Sequence, residues 1–380
     1  MIVICEKKQC FGCGLCAYSC PKHCISMEIG NSFGHLFPHI DQSACVDCGL
    51  CQKKCPALHL PEKQRPITAY AAWSIDSEDY QSSTSGAAAS VLSRHVLEQG
   101  GVVYGCAMLR DIDVRHIRID NVSDIKKLKG SKYVQSDLMD IFASLKTDVE
   151  TGRQTLFIGT PCQVAAMKRL FKNQPDNLIL VDLICHGVPS LELLRQHIKK
   201  VAPSPHYDRI VFRQGNGIYV IVVVNEKEVY RRAFNKPRYK DWYINTFYDG
   251  YTYRDSCYQC SYACPERISD ITIGDFWKLG KRIPAYYIPD HPHGCSVMLP
   301  STEKGCRLID SISPKMYLFE RTVEEAVEGN DQLRNPSFLD WRKKTFRKVY
   351  PIMGRFSYRL LTVDKYLSYQ AKRIIRRFSR

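Results

Sequence analysis

The sequence predicts an α+β protein with a small cysteine-rich head, a mixed α/β body and a helical tail. Three observations predict it. One cysteine–proline pattern occurs twice within the first 60 residues, strand-like and helix-like segments alternate from Ala69 to Ile184, and from about Glu320 the chain is basic with helical spacing. These features divide the 380 residues into a head at 1–60, a linker at 61–66, two parts of the body at 67–200 and 201–319, and a tail at 320–380. With 44% hydrophobic and 24% charged residues, wholesale disorder is excluded.

The head is defined by repetition. Cys10, Cys13, Cys16, Cys20 and Pro21 recur, displaced by 35, as Cys45, Cys48, Cys51, Cys55 and Pro56, each half reading C-x2-C-x2-C-x3-C-P. Three closely spaced thiolates can wrap three iron corners of one cubane from a single loop, while the fourth cysteine, before proline, reaches the other cluster. The head is therefore predicted to be a bacterial-type dicluster ferredoxin domain with two [4Fe-4S] clusters. Cys10, Cys13, Cys16 and Cys55 would hold one, and Cys45, Cys48, Cys51 and Cys20 the other. Zinc would leave cysteines of each half unemployed and does not explain the prolines. Gly12, Gly14, Ala17 and Gly49 suit a backbone that approaches an inorganic core. Cys5 and Cys24 lie outside the pattern, and Cys24 reads as a buried structural thiol.

Eighteen cysteines in a chain of this size are not needed as disulfide staples. The start, Met1 to Lys8, lacks a signal peptide's basic and apolar regions, and the best apolar run, Ile218 to Val224, has only strand length. A reducing cytoplasm is the expected location, with the thiols spent on metal. The formal charge of +15 falls to about +9 once three clusters, each contributing about −2 with its thiolates, are counted. Much of the excess lies in Lys343, Lys344, Arg347, Lys348, Arg355, Arg359, Lys365, Lys372, Arg373, Arg376, Arg377 and Arg380. A solvated basic helix accounts for it, with an acidic partner or peripheral contact with an anionic membrane as the alternatives. No recognition motif accompanies the charge, so no nucleic-acid partner is expected. The radical-SAM spacing C-x3-C-x2-C and the phosphate loop G-x4-G-K-[ST] are both absent.

Leu58 to Pro66 reads as a polar, proline-bounded tether. Beyond it, strands are predicted at Ala69 to Ile75, Val102 to Leu109, Val114 to Ile119, Thr155 to Ile158 and Leu178 to Ile184. Helices are predicted at Ser85 to Gln99, Leu138 to Val149 and Gln163 to Phe171. Arg209 to Arg213, Ile218 to Val224 and Glu228 to Ala233 read as a β-meander. Cys162 and Cys185 each follow a predicted strand, where open α/β sheets collect ligands. With Cys257 and Cys260 they make four candidate ligands for a third cubane, and Cys264 competes for a place. His116, on a predicted strand, reads as a satisfied core histidine before a flavin or proton-relay residue.

These motifs, in order, carry a resemblance. The dicluster head, Ser82-Ser-Thr-Ser-Gly86, Gly130-Ser-Lys-Tyr-Val-Gln-Ser136, Gly159-Thr-Pro-Cys-Gln163, Cys185-His-Gly187, and Cys257-x2-Cys260 with Ile273-Gly-Asp-Phe-Trp277 look like the coenzyme F420 hydrogenase/dehydrogenase beta-subunit family. The resemblance implies an oxidoreductase of the iron–sulfur flavoprotein type. Its clusters would exchange electrons with a ferredoxin-like redox partner and with FAD, and the flavin would exchange hydride with a deazaflavin or another small-molecule substrate. It nominates Cys162, Cys185, Cys257 and Cys260 for the third [4Fe-4S] cluster. A non-enzymatic electron-transfer subunit feeding a partner is the alternative. Ser83, Thr84, Ser85 and Gly86 form a hydroxyl-rich loop at a helix start, where free amides can hold a pyrophosphate. Gly130, Ser131, Lys132 and Tyr133 complete the candidate flavin site, Lys132 supplying charge. Ala87 stands where relatives commonly carry a second glycine.

Overall fold

The computed structural model describes residues 3–171, 173–215, 217–234 and 241–364. Its class is α+β. In the head, β1 (Ile25–Ile29) and β2 (Leu36–Ile40) form an antiparallel hairpin. One-turn helices at Leu15–Tyr18 and Leu50–Lys53 carry one cysteine each, Cys16 and Cys51. Both are entered through a left-handed glycine, Gly14 at φ 77° and Gly49 at φ 68°. The sequence repeat is thus a repeat of backbone shape, and glycine occupies the point where a side chain would be strained.

The body is built on an eight-stranded mixed sheet. Its strands are β3 (Ala69–Ser74), β4 (Val102–Leu109), β5 (Asp113–Ile119), β6 (Thr155–Gly159) and β7 (Leu178–Leu183). After β8 (Arg209–Gln214), β9 (Gly217–Val224) and β10 (Lys227–Ala233), which form the expected meander as a separate sheet, come β11 (Ile271–Asp275), β12 (Ser296–Pro300) and β13 (Met316–Arg321). The large sheet runs β13-β3-β12-β11-β7-β6-β4-β5. Its centre, β11-β7-β6-β4, is parallel and both flanks are antiparallel. The segments 67–200 and 201–319 therefore share one sheet. β11 reaches its centre because the alternation at Ile271 and Ile273 buries both against neighbouring strands.

Three readings need correction. The helix expected from Ser85 begins at Ala88 and ends at Glu98, because Ser85 (φ 58°) and Ala87 (φ 66°) are left-handed and hold the preceding loop out of helical geometry. The tail is not helical from Glu320. Glu320 and Arg321 complete the edge strand β13, and helices follow at Val323–Gly329, Trp341–Met353 and Phe356–Leu361. Lys365, Lys372, Arg373, Arg376, Arg377 and Arg380 lie outside the described residues. The linker is not a free tether either. Gln64 exchanges two backbone hydrogen bonds with Arg267, at 2.7 and 2.8 Å, and Lys63 Nζ donates to the Ser261 carbonyl and to Cys264 Sγ.

The head also shares the body's core. Leu15, fully buried, packs in one cluster with Tyr104, Phe142 and Phe157, a burial contributing roughly 1.5–3 kcal/mol. Phe33, in the turn of the head hairpin, stacks on Phe346 and Tyr350 of the Trp341–Met353 helix. His35 Nε2 lies 3.1 Å from the Val188 carbonyl. Aromatic and backbone contacts from two sides thus fix the cysteine loops against the ends of the parallel strands.

Candidate functional site

The head's eight motif cysteines ring two small voids. Cys10, Cys13, Cys16 and Cys55 line one, with Cys5, and Cys20, Cys45, Cys48 and Cys51 line the other, with Cys24. Each void draws three cysteines from one half of the repeat and one from the other. Cys48 is exposed, so the second void lies nearer solvent. All eighteen cysteines are free thiols. Among the described residues no three His, Cys, Asp or Glu side chains converge at the spacing of a single metal ion. The thiols stand around voids instead, as a four-iron core bound at its corners requires.

A third group forms at the ends of the parallel strands. Cys162 lies at the start of the helix Pro161–Leu170 that follows β6, capped by a reciprocal Thr160–Gln163 box. Cys185 follows β7, and Cys257 and Cys260 come from the loop after the helix Trp242–Tyr248. The Cys185 thiol is influenced by Cys257, Cys162 and Cys260. Burial pushes the Cys162 thiol up to about 11 and the Cys257 thiol up to about 12, and raises Cys185 and Cys260 too. As free thiols these groups are neutral; ligating a cationic core is what would deprotonate them. Cys264 touches the group only through Cys260, and its thiol faces Lys63 Nζ and the Glu266 carbonyl.

Beside this group opens a cavity of about 670 Å³, within the usual range of roughly 300–1,000 Å³ for cofactor sites. Its wall includes the ends of β6, β7 and β11 (Gly159, Leu183, Ile273 to Asp275), and Cys185 with His186 and Gly187. Ser83, Thr84, Ser85, Gly130, Ser131, Lys132 and Tyr133 all line it. The Ser83 and Ser85 hydroxyls are buried without a hydrogen-bond partner, beside the start of the eleven-residue helix Ala88–Glu98, whose first amides have no intrahelical acceptor. An anionic group would satisfy both. Lys132 Nζ, its charge disfavoured by burial, donates to the Leu128 and Lys129 carbonyls.

Gly86 does not belong to that wall. A Cβ there would lie 2.0 Å from the Ala72 carbonyl oxygen, and the Gly86 amide donates to Ser296 Oγ at 2.9 Å. It is glycine because the loop crosses β3 and β12 at close range, not because a phosphate approaches it. His116 also lines the cavity. Its Nε2 donates to the Ile158 carbonyl at 3.0 Å, its Nδ1 accepts from Ser136 Oγ at 3.0 Å, and its ring stacks on Phe157. Burial holds it down at about 4, so it is neutral, with both nitrogens engaged.

Two features escaped the sequence. An Arg213–Asp275 ion pair, 2.8 Å, and the stacked rings of Tyr133 and Phe247 line the cavity on the meander side. Arg254 is 1% exposed and inserted between the head and the third cysteine group. A lone arginine reads as solvated in a sequence, and no periodicity marks its burial.

Two cysteine-ringed voids in a repeated half-motif define an iron–sulfur protein. Residues 9–58 match the 4Fe-4S dicluster domain. Over residues 152–326 the chain belongs to the family described as the C terminus of the coenzyme F420 hydrogenase/dehydrogenase beta subunit. Among solved structures, one similar to this chain comes from the F420-reducing [NiFe] hydrogenase complex of Methanosarcina barkeri, at 16% identity and a TM-score of 0.46, covering 71% of this chain and 90% of that chain. No curated protein matches the sequence.

Proposed function

We propose that the chain is an iron–sulfur flavoprotein oxidoreductase, passing electrons between a ferredoxin-like partner and a small-molecule substrate such as a deazaflavin. The observation that carries this reading is that Cys185 belongs both to the third cysteine group and to the wall of the 670 Å³ cavity. The cysteine groups follow one another from the exposed Cys48 inward: Cys20, Cys45, Cys48 and Cys51; then Cys10, Cys13, Cys16 and Cys55; then Cys162, Cys185, Cys257 and Cys260. Each would hold one [4Fe-4S] cluster. FAD bound in the cavity supplies two-electron hydride chemistry that can be fed one electron at a time. Ser83, Thr84, Ser85 and the amides at the start of the Ala88–Glu98 helix would hold its pyrophosphate, with Gly130, Ser131 and Lys132 opposite. His116 fixes the loop carrying Ser136 and moves no proton at neutral pH. Free thiols throughout suit a reducing compartment such as the cytoplasm.

Anaerobic purification with iron, sulfide and flavin quantified tests the proposal. It expects about twelve irons and one flavin per chain. Full iron with no flavin, and none gained on incubation with FAD or FMN, would replace it with the non-enzymatic electron-transfer reading.

A second proposal concerns the tail. The Trp341–Met353 and Phe356–Leu361 helices fold back on each other, Arg342 pairing with Asp364 at 2.8 Å. Their outward face exposes Trp341, Lys344, Lys348, Ile352, Phe356, Arg359 and Leu360, a mixture of apolar and basic side chains without an acid. That face suits peripheral contact with an anionic membrane, which rewards both components. No described helix is long and apolar enough to span one. Sedimentation with anionic but not zwitterionic vesicles is expected; equal failure with both would refute the contact.

A further inference from the structure

Arg254 is among the largest side chains fully buried in the molecule, and no carboxylate pairs with it among the described residues. Its Nε donates to the Cys10 carbonyl at 2.7 Å. One terminal nitrogen donates to Gln135 Oε1 at 3.1 Å, and the other reaches the Leu36 carbonyl and, at 3.7 Å, the Cys10 sulfur. The guanidinium lies 4.4 Å from the centre of the Phe37 ring. Its backbone leads, three residues on, to Cys257, and its charge acts on the thiols of Cys10, Cys162 and Cys257.

Carbonyl oxygens satisfy the donors but do not neutralise the charge. A buried cation without a counter-ion is strongly unfavourable unless anionic groups lie close by. The cysteines on its two sides supply that anion only when they are thiolates on iron, where each cluster carries a net negative charge that grows by one on reduction. The sequence is shaped around this placement. Gly12 can only be glycine, since a Cβ would lie 2.5 Å from the guanidinium, and Gln135 Nε2 donates back to the Phe11 carbonyl at 3.0 Å, holding the cysteine loop onto the arginine's partner.

We propose that Arg254 is the counter-charge shared by the cluster of Cys10, Cys13, Cys16 and Cys55 and the cluster of Cys162, Cys185, Cys257 and Cys260, and that it holds both reduction potentials up so that an electron entering the head is passed into the body. The inference rests on the three-cluster reading above. Arg254 is a positioning residue: it touches the ligand loop and acts on the clusters through its charge. It favours the reduced form of each by the same electrostatic interaction, because one cation lies between them. The outer cluster, beyond the first, receives much less.

The test is an anaerobic redox titration of the full chain followed by electron paramagnetic resonance, with signals assigned from variants lacking Cys185 or Cys51. Arg254→Gln should keep its iron and lower two of the three potentials, making reduction at least tenfold less favourable at a given applied potential, about 59 mV for a one-electron couple. The cluster of Cys20, Cys45, Cys48 and Cys51 should stay within threefold. Arg254→Lys, which keeps the charge and loses the fork, should retain all three potentials within threefold. Should Arg254→Gln fail to hold iron, Gln135→Glu neutralises the guanidinium in place and should lower the same two potentials. Unmoved potentials in an iron-replete neutralised variant, a shift common to all three clusters, or Arg254→Lys behaving like Arg254→Gln would each overturn the inference. Wild-type protein with only about eight irons would instead bring down the three-cluster reading and this inference with it.

Discussion

The thiols of Cys20 and Cys24 stand 3.4 Å apart in the head, and Cys24 also lies against Cys45. The void ringed by Cys20, Cys45, Cys48 and Cys51 therefore has a fifth thiol on its wall, although Cys24 lies outside the repeated motif. A thiol so close can take over an iron corner with a small rotation of its side chain.

Cys20→Ala is accordingly expected to keep close to full iron while changing the spectrum of the outer cluster. The double variant Cys20→Ala/Cys24→Ala should lose about four irons. Iron analysis with electron paramagnetic resonance decides it. Loss of the signal belonging to Cys10, Cys13 and Cys16 would show that Cys20 does not serve the outer void.

Ser83→Asp is expected to weaken flavin binding at least tenfold, because it puts a carboxylate where an unpartnered hydroxyl faces the cavity at a helix start. Ser83 is half-buried, so the fold accommodates the change, and iron content should be unaltered. Gly86→Asp is a poor test of the same idea, since its side chain would strike the Ala72 carbonyl and unfold the loop. Equal flavin content in Ser83→Asp and wild type would move the pyrophosphate elsewhere.

Ala87→Gly should stabilise the protein by about 1 kcal/mol, because an alanine at φ 66° carries a left-handed penalty that glycine does not. The gain offsets the extra freedom glycine brings to the unfolded chain. A raised thermal midpoint with unchanged cofactor content is the expected result; a lowered one would mean that the Ala87 methyl packs more favourably than its backbone is strained.

His35 and His116 predict a pH dependence. Burial, reinforced by the Arg254 charge, lowers His35 to about 3, and burial lowers His116 to about 4. Both folded values lie below that of an unfolded histidine, so the unfolded chain takes up protons first as pH falls. Stability is complete above about pH 6.5 and declines below it, by about 1 kcal/mol per histidine between pH 6.5 and 5.5. Thermal unfolding across that interval should show the loss, and His35→Gln should reduce it. An identical pH slope in that variant would mean that His35 is not the group responsible.

Much of the site was legible because its chemistry is local in sequence. Four thiols at fixed short spacing need one loop, so the head's ligand halves could be read from Cys10 to Pro21 and from Cys45 to Pro56. The strands β4 to β7 declared themselves by continuous apolar runs. The loop of Ser83, Thr84 and Ser85 was readable as an anion cradle from its hydroxyls. Gly86 was misread because a sequence cannot distinguish a glycine that makes room for a ligand from one that makes room for β3.

The sequence alone determined the cysteine repeat, the left-handed glycines that open its two short helices, the alternating core of the body and the basic character of the tail, because each depends on residues within a turn or two of one another. Tertiary structure decided that β11 enters the sheet's centre, that Leu15 and Phe33 fasten head to body, that Cys185 stands at the wall of the cavity, and that Arg254 is buried between two cysteine groups. Those outcomes depend on what faces each side chain across the fold, and desolvation and packing are properties of that neighbourhood, which spacing along the chain does not encode.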